Sequence, residues 1–145
     1  MRKIIVAVIM TISITSAFAA NEEISPAVET AFKAKFPGAS AVEWTKGSTY
    51  YKASFTNNGK VMFAFYSEKA ELLGLMKYVR STQLPPDLQS KLKPYFKHYW
   101  ITDLFEMSNR SSVGYYVTFR NADNEIVLES CDGSDWKLLT VKTGE

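Results

Sequence analysis

The chain has 145 residues, of which 46% are hydrophobic and 14% aromatic, with 17 Lys plus Arg against 15 Asp plus Glu. This length suits one globular domain, and the nearly balanced charge gives no electrostatic reason to expect binding to nucleic acid or to an anionic membrane. The single cysteine, Cys131, excludes an intramolecular disulfide. Because free cysteine is among the residues most often buried, we expect a buried, inert thiol. Pairing between chains and a reactive thiol are the alternatives.

Residues 1–19 are typical of a secretory signal peptide. Arg2 and Lys3 precede an apolar run, and the small residues Ala17 and Ala19 mark the expected cleavage site. The run is about half as long as the roughly 20 residues that a spanning helix needs, so no membrane span is expected. Cleavage removes two basic residues, which leaves 17 − 2 = 15 against 15 acidic ones. Residues 20–145 are therefore predicted to form one domain in the periplasm or outside the cell.

The first half of this domain, about residues 25–80, is predicted to contain one helix and four strands. Pro26 starts the helix, since a proline at the first helical position loses no hydrogen bond, and apolar residues then recur at three- and four-residue spacing. The period changes to two after Pro37. Asn58 and Gly59 predict a hairpin turn, because both residue types tolerate positive φ. The four strands are expected around residues 42–44, 51–55, 61–65 and 72–79.

The second half, about residues 84–142, repeats this arrangement. A second helix opens at Pro86, and Pro94, which lacks an amide hydrogen, is expected to end it early. Further strands are expected around residues 100–107, 115–119, 126–128 and 136–141. The predicted fold class is thus α+β, with tandem duplicated helix-plus-antiparallel-strand units. Short connections favour antiparallel pairing of neighbouring strands, with the two short helices packed on one face of the sheet.

The ordered set of these residues resembles the periplasmic PepSY-like family of Bacteroidetes, which is also described as β-lactamase-inhibitor-protein-like (BLIP-like). The similarity covers residues 26–141, and it implies tandem repeats, a curved sheet with helices on one side, and an open opposite face. In the inhibitor that lends its name, the open face grips an enzyme. The second unit departs from the pattern, because Tyr95-Phe96-Lys97-His98 stands where the first has the turn. The residues that carry the resemblance are Phe36-Pro37-x-Ala39, Val42-x-Trp44, Tyr51-x-Ala53-x-Phe55, Asn58-Gly59 and Leu84-Pro85.

Alternation along the strands assigns side chains to the two faces of the sheet. The face under the helices is predicted to carry Val42, Trp44, Tyr51, Ala53, Phe55, Val61, Phe63, Phe65, Tyr115, Val117, Phe119, Ile126 and Leu128. The open face then carries tyrosines among long basic side chains and methionine, a composition enriched in contact surfaces. An ordinary solvated face is the alternative. The residues predicted to bind a protein or peptide partner are Tyr50, Lys52, Met62, Tyr66, Tyr116 and Arg120.

The sequence carries no recognisable catalytic, metal-binding or cofactor-binding pattern. His98 is the only histidine, and it is expected at a helix end or in a loop. Asp132-Gly133-Ser134-Asp135 is predicted to be a turn, because it lacks the ligand spacing of a calcium loop. We therefore predict a non-catalytic, exported binding module. The family resemblance implies inhibition of a periplasmic or secreted enzyme as the sharpest form of this function. A structural or envelope-associated homodimer without a dedicated ligand is the alternative, and an enzyme using Cys131 with His98 is a remote one.

Overall fold

The structure is a computed structural model in which residues 23–144 are described. The element order is a helix and four strands, then a second helix and four strands, in agreement with the predicted order. Two single-turn 3₁₀ helices flank the second α-helix, at Ser81–Gln83 and Tyr95–Lys97. The predicted signal peptide and its cleavage site lie outside the described residues. The elements are α1 Pro26–Lys35, β1 Ser40–Lys46, β2 Tyr50–Asn57, β3 Lys60–Ser67, β4 Leu72–Tyr78, α2 Pro86–Leu92, β5 Trp100–Ser108, β6 Val113–Arg120, β7 Asn124–Ser130 and β8 Lys137–Thr143.

All eight strands form one antiparallel sheet in which each strand pairs with its neighbours in the sequence, from β1 to β8. The turn between β2 and β3 is the predicted hairpin, with φ of 50° at Asn58 and 74° at Gly59. Such a two-residue turn with two positive φ angles fixes the register of the strands it joins. Asn57 accordingly pairs with Lys60. The fold is α+β, as predicted.

Helix α1 covers the first half of the sheet. Phe32 packs against the rings of Phe36, Trp44 and Phe55, with centroids 5.4, 5.2 and 4.9 Å away. Burying a side chain of this size contributes about 1.5–3 kcal/mol, so this cluster anchors the helix. The buried members are Val28, Phe32, Phe36, Tyr51, Ala53, Phe55, Ala64 and Tyr66.

Helix α2 covers the second half through Leu88 and Leu92. It ends at Leu92, two residues before Pro94, which confirms the expected early end. The ring of Tyr95 then stacks on Phe119, with centroids 4.9 Å apart. The other buried members of this cluster are Leu84, Leu104, Val117 and Leu128.

The connection between β7 and β8 is fastened to α2. Lys91 Nζ donates a hydrogen bond to the Ser134 carbonyl over 2.8 Å and forms an ion pair with Asp135. The indole Nε1 of Trp136 donates to the Leu88 carbonyl over 3.1 Å. These contacts hold the turn of residues 131–135 beside the helix.

Both helices lie on the same face of the sheet. Residues directly opposite each other on antiparallel strands share a face, and the register carries this face from one helix to the other. An ion pair between Lys77 and Glu106, with 3.1 Å between the charged atoms, lies on this face where β4 meets β5. The pairs that carry the face across are Ala64–Leu75, Lys77–Glu106 and Leu104–Val117.

The predicted face assignment of β3 is wrong. The hairpin register sets Met62 opposite Phe55 and Tyr66 opposite Tyr51, so Met62 and Tyr66 face α1. Tyr66 is only 1% exposed, within the α1 cluster. Two of the six predicted binding residues are therefore part of the core and its margin.

The other alternate residues of β3, Val61, Phe63 and Phe65, lie on the opposite face, although they were predicted to lie under the helices. Val42 lines a groove between α1 and β1 and is partly exposed. The rest of the prediction for the helix face is confirmed. These residues are Trp44, Tyr51, Ala53 and Phe55 in the α1 cluster and Tyr115, Val117, Phe119, Ile126 and Leu128 in the α2 cluster.

The two edge strands of the sheet, β1 and β8, differ in the features that oppose pairing with another chain. On β1 the register shifts between Ser40 and Glu43, and Ala41 has a φ of 51°. On β8 the lysines Lys137 and Lys142 are both exposed. Irregular geometry and lysine are two of the features by which proteins protect edge strands from pairing with other chains.

Candidate binding face

The sheet face opposite α1 and α2, here called the helix-free face, carries its own apolar cluster. All of the cluster's members belong to strands. The large side chains are therefore buried by one another and by their strand neighbours. The buried members are Phe65, Met76, Phe105, Met107 and Tyr116, and Tyr50, Phe63 and Leu139 pack against them.

Gly74 makes room within this cluster. It pairs with Phe65 across β3 and β4. A Cβ atom at Gly74 would lie 3.3 Å from the sulfur of Met107, which is tighter than an ordinary contact. The missing side chain thus lets Phe65 and Met107 occupy the same layer.

Aromatic rings form a row across the middle of the helix-free face. Phe63 and Tyr78 meet edge to face, with centroids 5.9 Å apart. Tyr78 lies opposite Phe105 in the register, and Phe105 stacks on Tyr116 at 5.1 Å and 16°. Lys52 Nζ is 5.8 Å from the centroid of Phe63, within the range of a cation–π contact. The row therefore has a cation at one end.

Four of the predicted binding residues lie on this face, namely Tyr50, Lys52, Tyr116 and Arg120. Tyr50 is partly exposed and packs on Phe65, with centroids 5.9 Å apart. Tyr116 is only 5% exposed, and burial raises its pKa to about 12. Tyr116 therefore supports the aromatic row from within and offers little surface of its own.

Arg120 is exposed, but its charge has local partners. It forms an ion pair with Glu125, whose other carboxylate oxygen lies 3.5 Å from Lys142 Nζ. The hydrogen bond from Arg120 lowers the pKa of Glu125. At this end of the face two cations, Arg120 and Lys142, thus share the one carboxylate of Glu125.

Sequence reasoning missed the two most exposed rings of the helix-free face. Tyr78 is 52% exposed and Trp100 is 55% exposed, opposite Phe105 and Arg120 respectively. Both residues stand at the end of a strand, where fewer neighbouring side chains are available to cover a ring. That terminal position was the signal available in the sequence.

Tyr66 yields a prediction about stability. Its hydroxyl is buried and has no hydrogen-bond partner within residues 23–144, and burial raises its pKa. Because a buried, unsatisfied polar group costs about 1–3 kcal/mol, Tyr66→Phe is expected to raise the free energy of unfolding by that amount. Urea denaturation measures the change. Tyr78→Phe, at a half-exposed ring, should change stability by no more than about 0.5 kcal/mol. A loss of stability in Tyr66→Phe would contradict the prediction.

The thiol of Cys131 is exposed, so the expectation of a buried cysteine is wrong. Cys131 directly follows Ser130, the last residue of β7, which is buried. Successive side chains of a strand alternate between faces, and the inward position falls on Ser130.

His98 is exposed and follows the 3₁₀ turn at Tyr95–Lys97, as expected. Within residues 23–144 no three or more His, Cys, Asp or Glu side chains are grouped so that they could hold a metal ion.

The turn after β7 is organised by Asp132. Its carboxylate accepts hydrogen bonds from the backbone N–H groups of Ser134 and Asp135, over 2.9 and 3.1 Å. These bonds lower the pKa of Asp132 to about 2. The carboxylate thus serves the turn itself, which agrees with the predicted turn.

Comparison with known proteins finds similarity in structure alone. No family model matches the sequence, and neither does any curated protein. A BLIP-like protein from Bacteroides fragilis is 22% identical, with a TM-score of 0.69 over 86% of this chain and 89% of that one. A DUF2874 family protein from Bacteroides uniformis is 14% identical, with a TM-score of 0.73 over 83% of this chain and 90% of that one.

A third similar structure, a candidate periplasmic protein from Bacteroides eggerthii, is 14% identical, with a TM-score of 0.73 over 84% of this chain and 90% of that one. None of the three names states an enzymatic activity. At these identities the similarity establishes a shared fold, which confirms the resemblance drawn from the sequence at that level. No helix within residues 23–144 is long and apolar enough to cross a membrane.

Proposed function

We propose that this chain is an exported, non-catalytic binding protein that holds a protein or peptide against its helix-free face. The observation that carries the proposal is the row of rings from Phe63 to Tyr116, with Tyr78 half exposed and Lys52 at its end. Tyrosine, tryptophan and arginine are enriched among the residues that dominate binding energy. The helix-free face presents all three.

The cluster beneath the row supports such a role physically. Phe65, Phe105 and Met107 are buried, so the exposed rings stand on side chains that are already ordered. A surface that is ordered before binding loses less conformational entropy when a partner arrives. Tyr50, Lys52, Tyr116 and Arg120 remain the proposed binding residues, with Tyr116 in a supporting position.

Export and inhibition belong to the proposal as well. Export is supported by the signal-peptide pattern of residues 1–19 and by the name of the candidate periplasmic protein from Bacteroides eggerthii. An inhibitor-like role is supported by the fold shared with a BLIP-like protein. We also propose that residues 25–80 and 84–142 are two repeats of one unit, which the repeated order of helix and four strands supports.

Site-specific photo-crosslinking in the native compartment tests this function. A photoreactive amino acid at Tyr78 should form an adduct with another protein, whereas the same amino acid at Lys35, exposed on α1 on the opposite side, should not. Lys52→Glu, which reverses the charge beside Phe63, should lower the adduct yield severalfold. Adducts formed at Lys35 but not at Tyr78 would overturn the proposal. An adduct of twice the chain's mass would favour the homodimer, and sedimentation at several concentrations would then measure its association.

A further inference from the structure

The sheet opens between β4 and β5. These strands pair only through Leu75–Tyr78 and Phe105–Ser108, with one further hydrogen bond from the Val79 N–H to the Leu104 carbonyl over 3.1 Å. Strand β5 begins earlier, at Trp100, and its first residues pair with β6 only. Within residues 23–144, the edge of residues 100–103 that faces away from β6 therefore has no strand partner.

A groove of about 510 Å³ lies along this free edge. One wall is the chain that leaves β4, from Tyr78 to Thr82, and the other is β5 from Ile101 to Leu104. A β-bulge between Ile101 and Asp103 takes Thr102 out of the register with β6. Bulges are frequent where strand pairing ends and beside functional sites.

The groove carries one charge of each sign. Arg80 and Asp103 are exposed on opposite walls, and neither has an oppositely charged group within 4 Å in the described part of the chain. Tyr78 and Asp103 both line the groove. Burial, and then the negative charge of Asp103, raises the pKa of Tyr78. Trp100, at the start of β5, adds a second exposed ring beside the groove's free edge.

We infer that this gap is a strand-addition site for an extended peptide segment of the partner protein. The inference rests on the proposed function and names the form in which the partner is recognised. A free strand edge recognises the main chain of an extended peptide, while neighbouring side chains read its alternate residues. The four residues 100–103 span roughly 13 Å at about 3.3 Å per residue, which suits a segment of four or five residues.

The charges and rings define the chemistry of this segment. An acidic residue of the peptide complements Arg80, a basic residue complements Asp103, and an apolar or aromatic residue covers Tyr78 and Trp100. A polyanion is disfavoured, because Asp103 lies within the groove. The occupant is therefore a peptide with charges of both signs.

Random linear heptapeptides displayed on phage, selected against the whole protein, provide the test. A selected peptide should shift the amide NMR signals of residues 100–103. In an added strand, the backbone N–H groups of alternate residues point toward the neighbouring strand. N-methylation, which removes an N–H donor, should therefore weaken binding at least tenfold at alternate peptide positions and should not weaken it at the intervening positions. Trp100→Ala should weaken binding about tenfold. The matched control is Leu138→Ala on β8, where the side chain is 63% exposed and affinity should not change.

Three results would overturn strand addition. They are a library that yields no binding peptide, peptides that shift only the amides around Tyr50 and Lys52, and affinity that is indifferent to N-methylation at every position. The second result leaves the proposed use of the helix-free face in place. The proposed function itself is decided by the crosslinks at Tyr78 and Lys35, so the two ideas can fail separately.

Discussion

Replacing Phe32 by Ala is expected to lower the free energy of unfolding by about 3–5 kcal/mol. Phe32 is buried, and its ring packs on Phe36, Trp44 and Phe55 at centroid distances of 4.9–5.4 Å. The substitution leaves a cavity where α1 meets the sheet, and α1 has no other large ring in the middle of that contact. Since domains of this size are stable by about 5–15 kcal/mol, urea denaturation should show a large shift of the midpoint.

Phe96→Ala is the matched control for this change. Phe96 is half exposed and packs on Phe119, with centroids 5.9 Å apart, so the same atoms are removed from a site that solvent already reaches. We expect a loss of roughly 1 kcal/mol or less. Equal losses in the two variants would show that α1 is not held by the Phe32 cluster.

Replacing Phe105 by Ala is expected to lower the free energy of unfolding by about 3 kcal/mol or more, although neither α1 nor α2 covers this residue. Phe105 is 8% exposed and stacks on Tyr116 at 5.1 Å. The same substitution on an ordinary solvated sheet face would lower the free energy of unfolding far less. The experiment therefore measures whether the helix-free face has a true core of its own, again from the urea midpoint.

Tyr78→Ala provides the comparison on the same face. Tyr78 lies opposite Phe105 but is half exposed, so its removal should cost roughly 1 kcal/mol while lowering the yield of any complex. A small loss in Phe105→Ala and a large one in Tyr78→Ala would reverse the proposed division between supporting and contacting rings.

The elements were predictable because their signals are local. The strand period of two, the Asn58–Gly59 turn and Pro94 each act over a few residues, and the structure shows the turn and the helix end where they were predicted. The antiparallel order follows from the short connections. The predicted α+β fold and the positions of all eight strands were therefore accessible from the sequence.

The faces of β3 were not accessible from alternation alone. The run from Val61 to Tyr66 is apolar at nearly every position, so either set of alternate residues could lie under α1. Only the register distinguishes them, because the two-residue turn pairs Asn57 with Lys60 and thereby sets Tyr66 opposite Tyr51. Counting outward from that turn would have placed Met62 and Tyr66 in the core.

Only part of the candidate site could be predicted from the sequence, because alternation assigns a side chain to a face but does not show how distant strands are placed. Tyr50, Lys52, Tyr116 and Arg120 follow from alternation within strands whose buried face is clear. The exposure of Tyr78 and Trp100 depends on where β4 and β5 part, which is a relation between two distant segments. The sequence places both rings at the ends of strands, but no pattern within either segment shows where β4 and β5 part.

The difference between the two edge strands has a consequence for the protein's behaviour at high concentration. Because β1 and β8 differ in sequence, pairing one molecule's β8 with the next molecule's β1 would join them head to tail, and such growth has no natural end point. The positive φ of Ala41 interrupts the regular strand edge that β1 would offer to another chain. On β8, the charged side chains of Lys137 and Lys142 are exposed to solvent. Both features oppose the growth of ribbon-like polymers by pairing of edge strands.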